Sequence, residues 1–168
     1  MIEKVIITDI PELNLLVNSA YRGESSKEGW THEADLLGGI RTNETMLTDT
    51  ISQANTTVLK YTENNQIVGC VLLEQQSDSL YLGMLTVLPT LQGGGIGKKL
   101  LAAAETTAMS LGLSKIAMTV ISVRSELIDW YKRHGYQATG QTKCFPMDDP
   151  NAGTPKQFLE FIVMEKTV

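Results

Sequence analysis

The sequence predicts an α/β chain of the α+β kind, with a mixed, mostly antiparallel central sheet of about seven strands flanked by helices. Three strand-like runs, residues 57–62, 67–75 and 79–87, follow one another, separated at Asn64-Asn65 and at Gln76-Ser77-Asp78. Polar breaks that short favour antiparallel hairpins. Further along the chain, strand and helix patterns alternate, which places helices on the faces of a sheet. With 42% hydrophobic and 20% charged residues the composition is ordinary for a globular protein, so a real core can form. A length of 168 residues suggests one domain over 1–168.

Residues 5–8 form a short apolar run read as the first strand. Asp9 stands where a helix cap belongs, Pro11 suits a first helical turn, and Leu13, Leu16, Val17 and Ala20 recur at helical spacing, so residues 11–22 are expected to be helical. Residues 22–32, rich in Gly, Ser and charge, read as a loop. Helical patterns return at 34–40 and 44–54, and the three strands follow. A glycine-rich turn leads into residues 97–111, where Leu100, Leu101, Ala104, Ala108 and Leu111 mark an apolar helical face. Then come a strand at Lys115–Ile121, a helix at Ser125–Arg133 and a strand at 136–145. A proline-bearing loop at 146–156 precedes a last strand at 158–165.

A formal charge of -5 and the lack of any Lys/Arg block longer than two residues argue against nucleic acid as a partner, because such affinity comes from clustered cations neutralising phosphates. Cys70 and Cys144 each lie in an apolar run, outside any C-x-x-C pair, and are expected to be buried free thiols with no zinc site. No apolar stretch approaches the roughly 18 residues of a membrane span, and the N-terminus lacks a signal-peptide apolar region. A cytoplasmic protein with no membrane partner is the expectation. A homodimer is the default oligomer.

The segment Gln92-Gly93-Gly94-Gly95-Ile96-Gly97 needs more than a tight turn to explain it. A turn uses one or two glycines, and each extra one costs backbone entropy. Without Cβ atoms, backbone N–H groups can converge on phosphate oxygens at a helix N-terminus. Lys98 and Lys99 would oppose the helix dipole in the first turn unless an anion sits there. Two phosphate loops fail on spacing. A Walker loop would need glycine at Gln92 and Ser or Thr at Lys99. A dinucleotide loop would need glycine at Lys98 or Leu100.

The run from Leu85 to Gly97 instead resembles motif A of the GNAT N-acetyltransferases: a strand, a Val-x-Pro exit, then [Q/R]-x-x-G-x-[G/A] opening a helix. Gln92, Gly95 and Gly97 fill the marked positions. Trp130 to Tyr136 is similar to the ending of the family's motif B, a Tyr-x-x-x-Gly-[Phe/Tyr] sequence. The element order matches over nearly the whole chain.

The resemblance implies a GNAT-like fold and acetyl-CoA as acyl donor. In it the strand at 79–87 splays from the next one and the pantetheine arm enters the gap. Backbone groups of Leu85 and Val87 would pair with that arm and with the thioester oxygen, as donors aimed at developing charge. The N–H groups of Gln92, Gly93, Gly94, Gly95, Ile96, Gly97 and Lys98 would take the pyrophosphate. On the residues alone Tyr131 reads equally as a core aromatic beside Leu127, Ile128 and Trp130. The resemblance makes it the tyrosine that protonates the departing thiolate. Many members have Asn where this chain has Arg124, which either reaches a cofactor phosphate or is a solvated helix-start residue. The strand carboxylate that serves some members as general base is replaced by Gly83 and Met84. Glu74, Glu33 and His134 remain, each read first as a surface group, so no single base is expected.

The family's acceptor pocket corresponds to residues 21–33 and 145–156. Tyr21, Trp30, Glu33 and Phe145 are the candidate walls, with Arg22, Glu24, Asp148 and Asp149 nearby. Aromatics with carboxylates suit a cationic amine, while Arg22 and Arg41 suit a substrate carboxylate. The residues do not choose between an amino acid, a polyamine, an antibiotic amine and a protein N-terminus. The leading function is transfer of acetyl from acetyl-CoA to an amine of a small molecule or peptide. A non-catalytic acyl-CoA-binding or interaction module on the same fold is the alternative. A phosphotransferase is disfavoured, since neither a Walker pattern nor a carboxylate cluster accompanies the glycines.

Overall fold

A computed structural model describes residues 1–168. Its strands are β1 (Ile2–Lys4), β2 (Leu37–Gly38), β3 (Thr56–Glu63), β4 (Gln66–Gln75), β5 (Leu80–Val87), β6 (Lys115–Ile121), β7 (Gln137–Cys144), β8 (Thr154–Pro155) and β9 (Glu160–Thr167). Its helices are α1 (Ile10–Tyr21), α2 (Gly23–Ser26), α3 (Glu44–Ile51), α4 (Ile96–Ser110) and α5 (Ser125–Arg133). Seven strands form one sheet in the order β1-β3-β4-β5-β6-β9-β7. Only β5 and β6 run parallel; the other neighbours are antiparallel. A mixed, mostly antiparallel sheet with flanking helices is thus what the alternating pattern predicted. No helix is long and apolar enough to cross a membrane.

The pleat of β4 divides the core. Val71 and Leu73 face one side, where Leu100, Leu101, Ala104 and Ala108 of α4 pack with Ile128 and Tyr131 of α5. Cys70 faces the other, against Leu13, Leu16 and Val17 of α1 and Leu47 of α3. Alternate strand residues point to opposite faces, so one central strand serves two helical layers. Burial pushes the Cys70 thiol up to about 12, so it stays protonated and inert.

Several local expectations need correction. The first strand lies at Ile2–Lys4 rather than 5–8. Asp9 does not cap α1; its carboxylate accepts the Ile6 N–H at 2.9 Å and pairs with Lys60 at 2.8 Å, which pulls residues 7–9 into a 3-10 turn. Residues 22–32 contain the short helix α2. The helix expected at 34–40 is a single turn, with the Leu36 and Leu37 N–H groups both closing on the Glu33 carbonyl. Beyond it the Leu37–Gly38 backbone pairs with Thr154–Pro155, so a two-stranded ribbon outcompetes local propensity. The same pairing puts a strand in the proline loop. Cys144 is exposed rather than buried, because it ends the edge strand β7.

Candidate active site

β5 and β6 pair only at their starts, Leu80 with Ile116 and Tyr81 with Ala117. Beyond that they part, and the cause lies in β5. Its register against β4 steps from Gly83 opposite Leu72 to Thr86 opposite Cys70, which leaves Met84 and Leu85 facing Val71 alone. An extra residue of this kind bends a strand. The bulge does not sit on Gly83, the one glycine of β5. It falls on Met84, at φ 50°, a left-handed conformation costing roughly 1–3 kcal/mol for a side-chain-bearing residue. Packing holds it there. The Met84 side chain is buried against α1, and its carbonyl accepts the Thr86 hydroxyl at 3.0 Å.

The glycine segment faces the gap. Gly93 and Gly95 have φ of 84° and 87°, and Gly95 occupies the N-cap of α4 with no side-chain cap. The N–H groups of Gly93, Gly95, Ile96, Gly97 and Lys98 have no acceptor within the protein. A helix N-terminus left open in this way, with positive partial charge, is an anion cradle. A Cβ on Gly97 would lie 3.1 Å from the Trp130 ring, so this glycine lets α5 close against the start of α4. Ile96 turns its side chain into the core and offers only its N–H. Lys98 lines the cleft, whereas Lys99 turns away to donate to the Tyr61 hydroxyl at 3.0 Å.

The cleft between these parts has a volume of about 250 Å³. Leu85, Val87, Gln92, Gly93, Gly95, Ile96, Gly97, Lys98, Arg124 and Tyr131 line it together with Tyr21 and Trp30. The Leu85 carbonyl accepts the Tyr21 hydroxyl at 2.7 Å, and the Val87 carbonyl accepts the Gln92 amide at 3.2 Å. The Gln92 side-chain oxygen is buried without a donor. Tyr131 sits between Trp130 and Tyr136, with ring centroids at 5.2 and 5.7 Å. Its hydroxyl makes no hydrogen bond within the protein. Burial raises its pKa well above that of an ordinary phenol, so the proton stays on the oxygen.

On the far side of Tyr21 and Tyr131 lies a second hollow of about 140 Å³, lined also by Glu33, Arg41, Leu85, Thr119 and Phe161. The two spaces share the walls Tyr21, Leu85, Arg124, Leu127 and Tyr131, so the gap between β5 and β6 opens to both sides of the sheet.

Arg124 is not a solvated helix-start residue and Glu33 is not a surface group. Both are buried. One Glu33 oxygen accepts from Arg22 at 2.9 and 3.1 Å and the other from Arg124 at 3.1 Å. Arg22 also donates to the Ile40 carbonyl at 3.1 Å, and Arg124 to the Thr31 hydroxyl at 2.7 Å. This Arg–Glu–Arg bridge ties the loop after α1 to the start of α5 and so fixes one wall of each space. Glu33→Ala leaves two buried guanidiniums without their carboxylate. Breaking such a pair costs about 3–5 kcal/mol, which at roughly 2–4 °C per kcal/mol lowers Tm by about 6–20 °C. Thermal unfolding checks this, and an unchanged Tm would mean the bridge is not structural.

Of the remaining candidates, Phe145 is at neither space. It packs with Leu37, Ile121 and Leu159, because β7 ends by turning it under the β2–β8 ribbon. Gly94 lies in the segment but outside the cleft lining, its N–H near the Leu91 carbonyl at 3.4 Å. Glu74 pairs across from Tyr81 and Thr56 and lines neither space. The Nδ1 of His134 is held by the Trp130 carbonyl at 2.8 Å, and its ring lines the 250 Å³ cleft only. The sequence reading missed the part Trp130 plays as the floor under Gly97, and missed Tyr81 and Thr119, whose hydroxyls meet at 3.2 Å beside the smaller hollow. No motif flags those two. They reach the site only because β5 and β6 part beyond them.

A family model described as an acetyltransferase (GNAT) domain matches residues 31–146, well over half of the chain. The fold is similar to that of a ribosomal-protein-alanine N-acetyltransferase from Brucella melitensis, with a TM-score of 0.71, 19% identity, and coverage of 100% of this chain and 99% of that one. A PaiA N-acetyltransferase from Thermoplasma acidophilum, solved in complex with coenzyme A, matches at TM-score 0.72 and 19% identity over 100% of this chain and 98% of that one. An IAA acetyltransferase from Bacillus cereus matches at 0.69 and 17%, over 100% and 99%. With the splayed strands, the open glycine cradle and the family match in agreement, the chain belongs to the GNAT acetyltransferases.

Proposed function

We propose that this protein transfers an acetyl group from acetyl-CoA to an amine of a small molecule or peptide. The observation that carries the reading is the set of unpartnered N–H groups of Gly93, Gly95, Ile96, Gly97 and Lys98, opening onto the gap between β5 and β6. Gly93, Gly95, Ile96, Gly97 and Lys98 would hold the pyrophosphate by their backbone N–H groups. Leu85 and Val87 would line the pantetheine arm. Acetyl-CoA, when bound, supplies an activated thioester carbonyl. Tyr131 keeps a proton on its hydroxyl where the two spaces meet, available to a departing sulfur. The Tyr21 hydroxyl is committed to Leu85, and burial pushes its phenol up to about 12, so it serves as a fixed wall.

No side chain stands out as a base. Glu33 is bracketed by two arginines, Glu74 is outside both spaces, and His134 faces the cofactor side. The amine therefore loses its proton to solvent. A lysine-like amine has a pKa of about 10.4, and only its neutral form attacks. kcat/KM should rise with pH toward the pKa of each amine, so that a less basic amine reaches its plateau at lower pH. Because burial raises Tyr131, the alkaline fall from losing its proton lies above the ordinary phenol value of about 10. The test is kcat/KM against pH for two amines of different basicity, followed by thiol release, in the parent and in Glu74→Gln and His134→Gln. A plateau near neutrality for both amines that disappears in one variant would identify a dedicated base and overturn this part of the reading.

A further inference from the structure

The smaller hollow holds a cation that nothing in the protein pairs. Its only acidic wall is Glu33, already shared between Arg22 and Arg124. Arg41 lies in the same hollow with no carboxylate and no hydrogen-bond acceptor for its guanidinium, which rests 5.2 Å from the centre of the Tyr21 ring. Glu33 is thus taken up by Arg22 from outside the hollow and by Arg124 within it, which leaves Arg41 as an unmatched cation in a protein whose net charge is -5. The Arg41 backbone is anchored, its N–H donating to the Asn18 side chain at 2.7 Å, and Tyr21 is tethered to the Leu85 carbonyl. The cation is therefore placed beforehand rather than free to drift. Arg41 is absent from the cleft that holds the glycine segment, so its partner is not a cofactor phosphate.

Resting on the acetyltransferase reading above, we propose that the acceptor amine itself bears a carboxylate, is of free amino-acid size, and is recognised through that carboxylate by Arg41. A planar guanidinium fork matches a carboxylate in two parallel hydrogen bonds. A polyamine or a polycationic antibiotic would instead bring more positive charge to a site that lacks acidic partners. The hollow measures about 140 Å³, well below the roughly 300–1,000 Å³ usual for drug-sized ligands, and favours a small acceptor over a long peptide.

The test uses the standard amino acids, each beside its carboxamide, with a dipeptide arm for size. Two readouts are taken on the whole protein: binding to the CoA-loaded form by calorimetry, and thiol release from acetyl-CoA. The carboxylate-bearing member of the preferred pair should win in both by roughly 10- to 100-fold, the scale of a charge-assisted hydrogen-bonded pair. Arg41→Ala should erase that preference through KM, with CoA affinity and Tm unchanged, and Arg41→Lys should restore part of it. Thiol release that ignores the carboxylate, or a preference that survives Arg41→Ala, overturns this inference and leaves the acetyltransferase reading standing. Arg41-dependent amino-acid binding with no thiol release supports the recognition site and sinks the acetyltransferase reading. Neither binding nor turnover of any carboxylate-bearing member overturns the inference.

Discussion

Gly95→Glu is expected to weaken acetyl-CoA binding about a thousandfold while the protein still folds. A Cβ at Gly95 meets no atom within 4 Å, so nothing in the core is displaced. The left-handed φ of 87° costs a side-chain-bearing residue roughly 1–2 kcal/mol, which a folded domain tolerates. The larger effect is electrostatic. The new carboxylate stands at the mouth of the N–H cradle, where a pyrophosphate would bind. Two like charges at about 4 Å repel by about 4 kcal/mol at an effective dielectric of 20, and each 1.4 kcal/mol is about tenfold in affinity. Gly95→Ala carries the same strain without the charge and should recover most of the loss. Calorimetry decides the matter. If Gly95→Glu binds like the parent, the glycine segment is not the phosphate site.

Tyr131→Phe should lower kcat by roughly ten- to a thousandfold, the range in which a positioned acid contributes. It should leave Tm where it was. The ring is buried among aromatic neighbours and phenylalanine keeps that packing. The hydroxyl has no partner within the protein, so its removal strands no donor or acceptor. Acetyl-CoA affinity should change little. Parent-level turnover at an unchanged Tm would show that the thiolate leaves unaided, and Tyr131 would then be a core residue only.

Much of the fold was legible because its signals are local. The hairpin breaks at Asn64-Asn65 and Gln76-Ser77-Asp78, and the apolar stripe of α4, report periodicity and turn chemistry that tertiary contacts do not override. The boundaries of Lys115–Ile121 and Ser125–Arg133 came out unchanged. The glycine segment was legible for a related reason, since a run of residues without Cβ atoms has few structural uses. What could not be read depends on partners distant in sequence. Residues 34–40 look helical until Leu37–Gly38 finds Thr154–Pro155. Glu33 and Arg124 look like exposed charges until Arg22 joins them in one buried bridge. The bulge at Met84 rather than Gly83 is set by packing against α1, which outweighs the intrinsic preference of glycine for a left-handed conformation.

In the proposed reaction the acetyl group of acetyl-CoA ends on an amine nitrogen. The most direct measurement uses acetyl-CoA labelled in the acetyl carbons, incubated with the protein and an amine panel, and follows free CoA thiol and amide product together. Labelled amide should form one-to-one with thiol for at least one amine, with the product lost in Gly95→Glu and slowed in Tyr131→Phe. Tight binding of acetyl-CoA with no label transferred to any amine would contradict that reaction and leave a non-catalytic acyl-CoA-binding module on the same fold.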